Sequence, residues 1–440
     1  MADRIPRLDR RGLLAGLGAT ALAPAIPSIT AAQGRSSLAL QANEAVVGLR
    51  PGGPGTPVWT LEGPASGAGF RFKRGETLEV TLGNRLPVPI ATSWRGIDGV
   101  PGAEPLAARP PLALGARETL VIPLRHAGTF LCDFRLLGDG QARPSAVRAL
   151  IVGESEPVSV DRDEVMLIED WRLRPDGTAI APGRDPGNAD SLYTVNGVTT
   201  ADIHARIHQR LRLRFINGCQ RNVIAVKIEN HEVRVMAIDG QPAEPFPARN
   251  GALVLPPGGR VDAFVDVTGA AGSNSPILLH DGKEARTLGR LVVTEQPANR
   301  PAPLPAAAEL ASNGLPARLD LKSALRVDLA LGGSPAEWVT PANFAISAAP
   351  AFRAKTGRVV VLALTNRAAM TTVFHLHGHH FRLLDRLDDG WKPYWLDTLA
   401  IEPGQTQRIA FAAEYAGRWL IESVATDWAA PRLVRWYSVE

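Results

Sequence analysis

The sequence contains few cysteines and lysines, and neither sign of charge dominates. Two cysteines among 440 residues, Cys132 and Cys219, exclude a disulfide scaffold and the CxxC motifs of zinc and redox proteins. A bridge between these two cysteines stays open. Only six of the 48 basic residues are Lys, and 44 acidic residues leave a net charge of +4. No basic stripe interleaved with aromatic residues is present, so we expect no nucleic-acid partner.

Apolar runs long enough to span a membrane are also missing. At the N-terminus, Arg10 and Arg11 precede a weakly apolar, Gly/Ala-rich run to about Ala25, and Thr30 and Ala32 suit a cleavage site. This pattern is typical of a twin-arginine export signal. An amphipathic helix is the alternative, but the run lacks helical periodicity. We predict that residues 1–32 are a signal peptide and that the mature chain is periplasmic, without a transmembrane anchor.

The remaining chain shows short strand patterns separated by turn residues. Period-2 alternation at 76–82, 210–216, 259–267 and 358–364 predicts strands, and no long helical periodicity appears. A Pro/Ala-rich segment at 296–316 predicts a linker. The pattern therefore predicts an all-β protein with three sandwich units at 33–155, 156–295 and 317–440. A strand followed by Asn recurs at Asn84, Asn217 and Asn366, which indicates triplication of one unit.

Certain phrases of the three units resemble those of the multicopper oxidases, the laccase-like family built from cupredoxin domains. The phrases include GETLEVTLGNRL in the first unit, HEVRVMAIDGQP and LPPGGRVDAFVD in the second, and FHLHGHHFRLLD and IEPGQTQRIAFAAEYAGRWLIESV in the third. The resemblance covers nearly the whole mature chain. It implies three cupredoxin-like Greek-key β-sandwich domains.

The resemblance also implies copper chemistry. Family members hold a type 1 copper with two His, a Cys thiolate and often a weak axial Met, and this centre takes electrons from the substrate. Eight further His hold a trinuclear centre that reduces O₂. This sequence has nine His in total, fewer than the ten that the full set needs, and no Met follows Met370.

Most copper-ligand positions carry other residues here. Only His375 and His377 match family ligands, and the type 1 Cys position is Ser423. The other former ligand positions are Ser93, Arg95, Asp133, Arg135, Thr372, Glu422, Val424 and Trp428. A serine hydroxyl cannot supply the donating thiolate of a blue copper centre. We therefore expect no cofactor and no catalytic residue.

Four of the substituted positions carry charge. Since the family's side chains converge between the first and third units, Arg95, Arg135, Asp133 and Glu422 are predicted to form a buried ion-pair network. His375 and His377 would join this network, and Thr372, Ser423 and Trp428 would fill the type 1 cavity. The alternative is that these side chains have turned outward and contact nothing.

The histidine cluster at 375–380 offers a residual metal site as a second interpretation. His375, His377 and His380 could hold one copper or zinc ion, but positions i, i+2 and i+5 of a strand do not share a face. His379 matches a family position that is not a ligand. The remaining histidines are isolated, and surface or hydrogen-bonded roles are expected for them: His126, His204, His208, His231 and His280.

Three functions follow from these patterns. The first is a non-catalytic periplasmic scaffold or interaction protein, which resembles the copper-free, twin-arginine-exported members of the family associated with cell division. The second is an oxidoreductase with reduced or unusual copper content, and the third is a binding protein for a small ligand. For the first, we expect a monomer with an unidentified periplasmic protein partner.

Overall fold

Six β-sheets form the body of the protein. The computed structural model describes residues 34–64, 69–332, 337–385, 390 and 392–440, so the predicted signal peptide at 1–32 lies outside the described residues. The six sheets pair into three sandwiches, and each pair shares one hydrophobic core. The predicted all-β class is therefore confirmed. Among the residues described, no helix has the length and hydropathy that crossing a membrane requires.

The first sandwich joins the sheet β2-β1-β4-β6 to the sheet β3-β8-β7-β5. Its strands are β1 (Arg35–Val47), β2 (Thr56–Glu62), β3 (Gly69–Lys73), β4 (Thr77–Asn84), β5 (Ser93–Arg95), β6 (Arg117–Pro123), β7 (Gly128–Asp133) and β8 (Arg148–Gly153). In β4, Leu78, Val80 and Leu82 are fully buried while Glu79 and Thr81 are exposed. This is the period-2 pattern that the sequence predicts.

The second sandwich joins the sheet β10-β9-β12-β17-β14-β15 to the sheet β11-β19-β18-β13-β16. Its strands are β9 (Arg162–Leu173), β10 (Asp190–Val195), β11 (Ile203–Ala205), β12 (Arg210–Asn217), β13 (Ile224–Ile228), β14 (Arg234–Ile238), β15 (Gln241–Pro247), β16 (Ala252–Leu255), β17 (Arg260–Asp266), β18 (Asn274–His280) and β19 (Ala285–Val293).

The third sandwich joins the sheet β20-β22-β26-β24 to the sheet β21-β28-β27-β23-β25. Its strands are β20 (Leu325–Leu331), β21 (Arg353–Ala354), β22 (Val359–Asn366), β23 (Thr372–Leu376), β24 (Arg382–Leu383), β25 (Thr398–Ile401), β26 (Thr406–Ala412), β27 (Gly417–Ala425) and β28 (Arg432–Val439). Short 3-10 helices lie at Pro101–Ala103, Arg135–Leu137, Arg249–Gly251 and Pro341–Asn343.

Strand β12 departs from the pattern of its sequence. The alternation RLRLRFI predicts one apolar face and one face in water, but all residues of Arg210–Asn217 are buried. The arginine face is covered by the first sandwich, where Arg214 donates to Thr129 at 2.9 Å. Arg212 and Arg214 also reach Asp262 on the neighbouring β17, at 2.6 and 2.8 Å. Ion pairing lets this polar face serve as an interface between two sandwiches.

The Pro/Ala-rich segment 296–316 is anchored to the sandwiches through Asn313. The amide nitrogen of Asn313 donates to the backbone oxygen of Ala127 at 2.8 Å and to the side-chain oxygen of Gln241 at 3.0 Å. The backbone N–H of Ala127 donates in return to the Asn313 side chain at 2.9 Å. Residues 34–440 form one compact unit. The linker at 296–316 and the domain bounds 33–155, 156–295 and 317–440 stay predictions.

Candidate functional site

Two antiparallel strand pairs bring the substituted motifs together. In the first sandwich, β5 lies beside β7, which places Ser93 opposite Asp133. In the third sandwich, β23 lies beside β27, which places His375 opposite Glu422. Arg95 links the first and third sandwiches, because its Nη2 donates a hydrogen bond to Glu422 at 2.7 Å.

Glu422 is the centre of this site. Its side chain is 1% exposed and accepts hydrogen bonds from Arg95, from Nε2 of His377 at 2.9 Å and from Nη1 of Arg432. Burial alone would raise the pKa of Glu422, but the guanidinium groups of Arg95 and Arg432, together with His377, hold it well below its usual range. The pairing of Arg95 with Glu422 confirms this part of the predicted network. Arg432 is a member that the sequence reasoning missed.

His377 is a second cation of the site. Its Nδ1 lies 2.9 Å from Glu104 and its Nε2 lies 2.9 Å from Glu422, so both ring nitrogens donate to carboxylates. Burial alone would lower the pKa of His377, but Glu104 and Glu422 raise it to about 9. His377 is therefore an imidazolium at neutral pH. Glu104 was not predicted, because nothing in its local sequence distinguishes it from a surface glutamate.

His375, in contrast to His377, is a neutral imidazole. Its Nδ1 donates to the backbone oxygen of Asp397 at 3.0 Å, which leaves Nε2 with a free lone pair. Burial and the nearby charge of Arg95 lower the pKa of His375 to about 3. The two imidazoles lie with ring centroids 4.8 Å apart. One is thus charged and the other neutral, although both come from the same His-x-His phrase.

Arg135 lies outside the network, and this part of the prediction is wrong. Its guanidinium is buried but turns toward the second sandwich, where it donates to Glu169 at 3.1 Å and to the backbone oxygen of Gly218 at 2.5 Å. Arg135 begins a short 3-10 helix after β7, so the extended alternation that would aim it at Glu422 has ended. Asp133 remains at the edge of the site, 4.0 Å from Nε of Arg95.

The three positions predicted to correspond to a type 1 centre share no hydrogen bond with one another among the described residues. Ser423 is adjacent to Glu422 in β27 and therefore points to the opposite face, toward the core of the third sandwich. Thr372 donates to Asn366 at 3.2 Å, within the same sandwich. Trp428 turns away and donates to the backbone oxygen of Ala181 at 3.2 Å. That these three side chains fill one cavity stays a prediction.

A second buried cluster, which the sequence reasoning missed, lies where the three sandwiches meet. His380 donates from Nδ1 to Asp98 at 2.6 Å and from Nε2 to the backbone oxygen of Asp239 at 2.8 Å. Arg260 forms a two-pronged pair with Asp397, at 2.8 and 2.7 Å. Burial alone would lower the pKa of His380, but Asp98 raises it to about 9. A charged residue inside an otherwise buried phrase, such as Asp239 in VMAIDGQP, was the available signal.

The other histidines lie at the surface or contact polar groups. His204 and His280 are exposed, and His208 contacts the backbone oxygen of Arg300 at 2.7 Å. His126 is buried against Gln241 at 3.1 Å, and His231 lies 3.1 Å from the backbone oxygen of Glu229. These placements agree with the surface and hydrogen-bonded roles that were expected.

A small cavity of about 20 Å³ adjoins Glu422. Its lining includes Arg95, Asp133, Cys219, His375 and Val424. Such a volume has room for about one water molecule. Both Cys132 and Cys219 are free thiols, so the bridge that was left open is not formed.

Comparison with known proteins shows the family of the chain. Two models described as multicopper oxidase match the chain, one over residues 155–284 and the other over residues 318–440. The chain belongs to the multicopper oxidase family. A curated relative, multicopper oxidase MmcO of Mycobacterium tuberculosis, is 25% identical over 84% of this chain and 81% of its own length. Laccase-6 of Oryza sativa subsp. japonica is 24% identical, over 49% of this chain and 41% of its own length.

Solved structures of the family resemble this chain over most of its length. A multi-copper oxidase from Pseudomonas thermotolerans gives a TM-score of 0.80 at 26% identity and covers 92% of this chain and 99% of its own. Lac15 from a marine microbial metagenome gives a TM-score of 0.75 at 24% identity, over 92% of this chain and 100% of its own. These likenesses confirm the cupredoxin-like multi-domain fold.

Copper is the cofactor that the family implies, and the residues present do not fit the full four-copper set. Guanidinium groups have no lone pair to give a metal, and Arg95 and Arg432 lie against the carboxylate of Glu422 instead. His375, His377 and Glu422 offer ligand atoms within 4.8 Å of one another, so this trio could hold one ion. A cation there would compete with Arg95 and Arg432 for Glu422 and would require His377 to lose a proton, and both effects weaken its binding.

Proposed function

We propose that this chain is a non-catalytic member of the multicopper oxidase family that acts as a periplasmic scaffold or interaction protein of the cell envelope. The observation that carries the proposal is the pairing of Glu422 with Arg95, Arg432 and His377. By the family resemblance, these three cationic side chains lie in the region where family members hold copper ions. By the family resemblance, cell division is the process in which this role is proposed.

Copper loading of the full chain tests the loss of oxidase chemistry. We expect less than about a tenth of a copper ion per chain after expression with added copper, and no oxidation of laccase dyes. The control compares His375→Ala/His377→Ala with the exposed pair His204→Ala/His280→Ala, which separates site binding from surface binding. Near-stoichiometric copper with dye oxidation, lost only in the first double variant, would overturn the proposal.

The second candidate is an oxidoreductase with reduced copper content. It is favoured by the buried trio of His375, His377 and Glu422. This function requires about one copper ion per chain and an oxidation rate that rises with copper occupancy. Removal of copper by a chelator would then abolish the oxidation, whereas a scaffold protein would keep its fold and its partner.

Export by the twin-arginine pathway has its own test. Arg10→Lys/Arg11→Lys keeps both charges but removes the arginine pair that defines the signal. We expect the double variant to accumulate as an uncleaved precursor in the cytoplasm, while wild type reaches the periplasm. Periplasmic, cleaved protein from the double variant would contradict this route. The assay is fractionation followed by mass measurement of the mature N-terminus.

A further inference from the structure

A groove of about 720 Å³ opens between the first and third sandwiches. Its walls are largely apolar and come from loops of both sandwiches: Pro110, Pro111, Leu136, Leu137, Phe344 and Ile346. Sites for small ligands have volumes of about 300–1,000 Å³ and combine apolar walls with a few polar groups. The groove is therefore large enough for a small organic molecule, unlike the cavity of about 20 Å³ beside Glu422.

Arg432 is the charged residue that lines both the groove and the inner cavity. It is 6% exposed, yet its guanidinium has one acceptor among the described residues, which is Glu422. Its Nε is buried without a hydrogen-bond partner. A guanidinium has five N–H donors, and buried donors are nearly always satisfied. Nη2 of Arg432 forms no hydrogen bond among the described residues, so it is the donor that an acceptor of a ligand in the groove could meet.

Among the described residues that line the groove, the other charged side chain is Asp139, and its acceptors are already used. One oxygen of Asp139 accepts from Nη2 of Arg221 at 2.7 Å, and the other accepts from the backbone N–H of Arg432 at 2.5 Å. Its carboxylate is thus neutralised by Arg221, and the unmet hydrogen-bonding capacity belongs to a cation. This balance favours an anionic group over an ammonium group in the ligand.

We propose that this groove binds an apolar carboxylic acid, whose carboxylate accepts hydrogen bonds from Arg432 while its hydrocarbon part lies against the proline and leucine walls. The groove shares Arg432 with the Glu422 cluster but needs no metal, so ligand binding can be measured separately from copper content. A charge-assisted hydrogen bond from Nη2 to a carboxylate is stronger than one to a neutral hydroxyl, so the site would discriminate against alcohols of the same length.

Calorimetric titration of the full chain with octanoate tests the proposal. We expect octanoate to bind at least about 10-fold more tightly than octan-1-ol, which lacks the charge, and than acetate, which lacks the apolar tail. Arg432→Gln should remove this preference over octan-1-ol. Absence of octanoate binding to wild type, or equal affinity for octan-1-ol, would overturn the proposal.

A second variant keeps the test decisive if Arg432→Gln fails to fold. Ala342 is exposed and lines the groove, whereas Ala349 is exposed on the same segment but lines a neighbouring depression. Ala342→Trp should fill the groove and weaken octanoate binding about 10-fold or more, and the matched Ala349→Trp should leave it unchanged. Equal affinities in the two variants would place any binding elsewhere and refute the groove as its site.

Discussion

Replacement of Glu422 by Gln tests whether the buried cluster is held by charge. The substitution keeps the shape of the side chain but removes the negative charge that Arg95, Arg432 and His377 share. Gln keeps one acceptor oxygen. If that oxygen stays with Arg95 and His377, Arg432 faces the amide NH2 and loses the one acceptor that its guanidinium has among the described residues. Arg95 would also keep a distant partner, Asp133 at 4.0 Å. Removing one partner of a buried ion pair costs about 3–5 kcal/mol, because the remaining charge is left uncompensated.

Three charge-assisted hydrogen bonds give a similar magnitude for Glu422→Gln. Each such bond contributes about 1.5–3 kcal/mol and a neutral one about 0.5–1.5, so the three together lose about 3 kcal/mol. Urea unfolding followed by tryptophan fluorescence measures the difference, provided that the m-value is unchanged.

The matched control for Glu422→Gln is Glu440→Gln. Glu440 pairs with Arg353 at 2.8 Å, but both side chains are more than half exposed. Water and salt screen such a pair, so no measurable change is expected. A Glu422→Gln variant that unfolds within about 1 kcal/mol of wild type, as the control should, would refute the reasoning.

Three further predictions concern other buried groups. Since Asp98 raises the pKa of His380 to about 9, above its unfolded value near 6.5, the protonated ring stabilises fully below pH 6.5 and this contribution is lost as the pH rises through 9. Urea titrations from pH 6.5 to 9.5 should show that the free energy of unfolding falls by about 3 kcal/mol because of this residue, and His380→Gln should lack this part of the fall. The same pH profile in His380→Gln as in wild type would contradict the assignment. Asn313→Ala should cost about 2–3 kcal/mol, because the backbone of Ala127 loses its partners, and Ser312→Ala is the exposed control. Gly378→Ala should unfold at markedly lower urea, because φ is +73° and a Cβ would overlap the ring of Trp419; a wild-type midpoint would argue against this close packing.

The strands could be predicted from the sequence, because period-2 alternation is a property of neighbouring residues. The assignment of former copper-ligand positions stays a prediction from the resemblance. The partners of Glu422 could be predicted only in part. Arg95 was found because it stands in a recognisable motif, whereas Arg432 follows the last motif by several residues. Its pairing depends on β27 and β28 lying side by side, which is a tertiary fact.

Arg135 illustrates the opposite error. Its position in the motif predicts that it faces Glu422, but the chain leaves β7 at Asp133 and turns into a 3-10 helix. The loss of strand geometry rotates the side chain toward Glu169. His380 was weighed only as a metal ligand, since the sequence does not show that Asp98, from another sandwich, lies 2.6 Å away.

The separation of Arg95 and Glu422 along the chain, 327 residues, has a consequence for how the protein reaches its native state. During synthesis the first sandwich emerges long before β27, so Arg95 remains hydrated until the third sandwich docks. Docking must then remove water from both charged groups in one late step. This makes closure of the molecule a slow event of high contact order, and its rate should respond to ionic strength more than the folding of the individual sandwiches does.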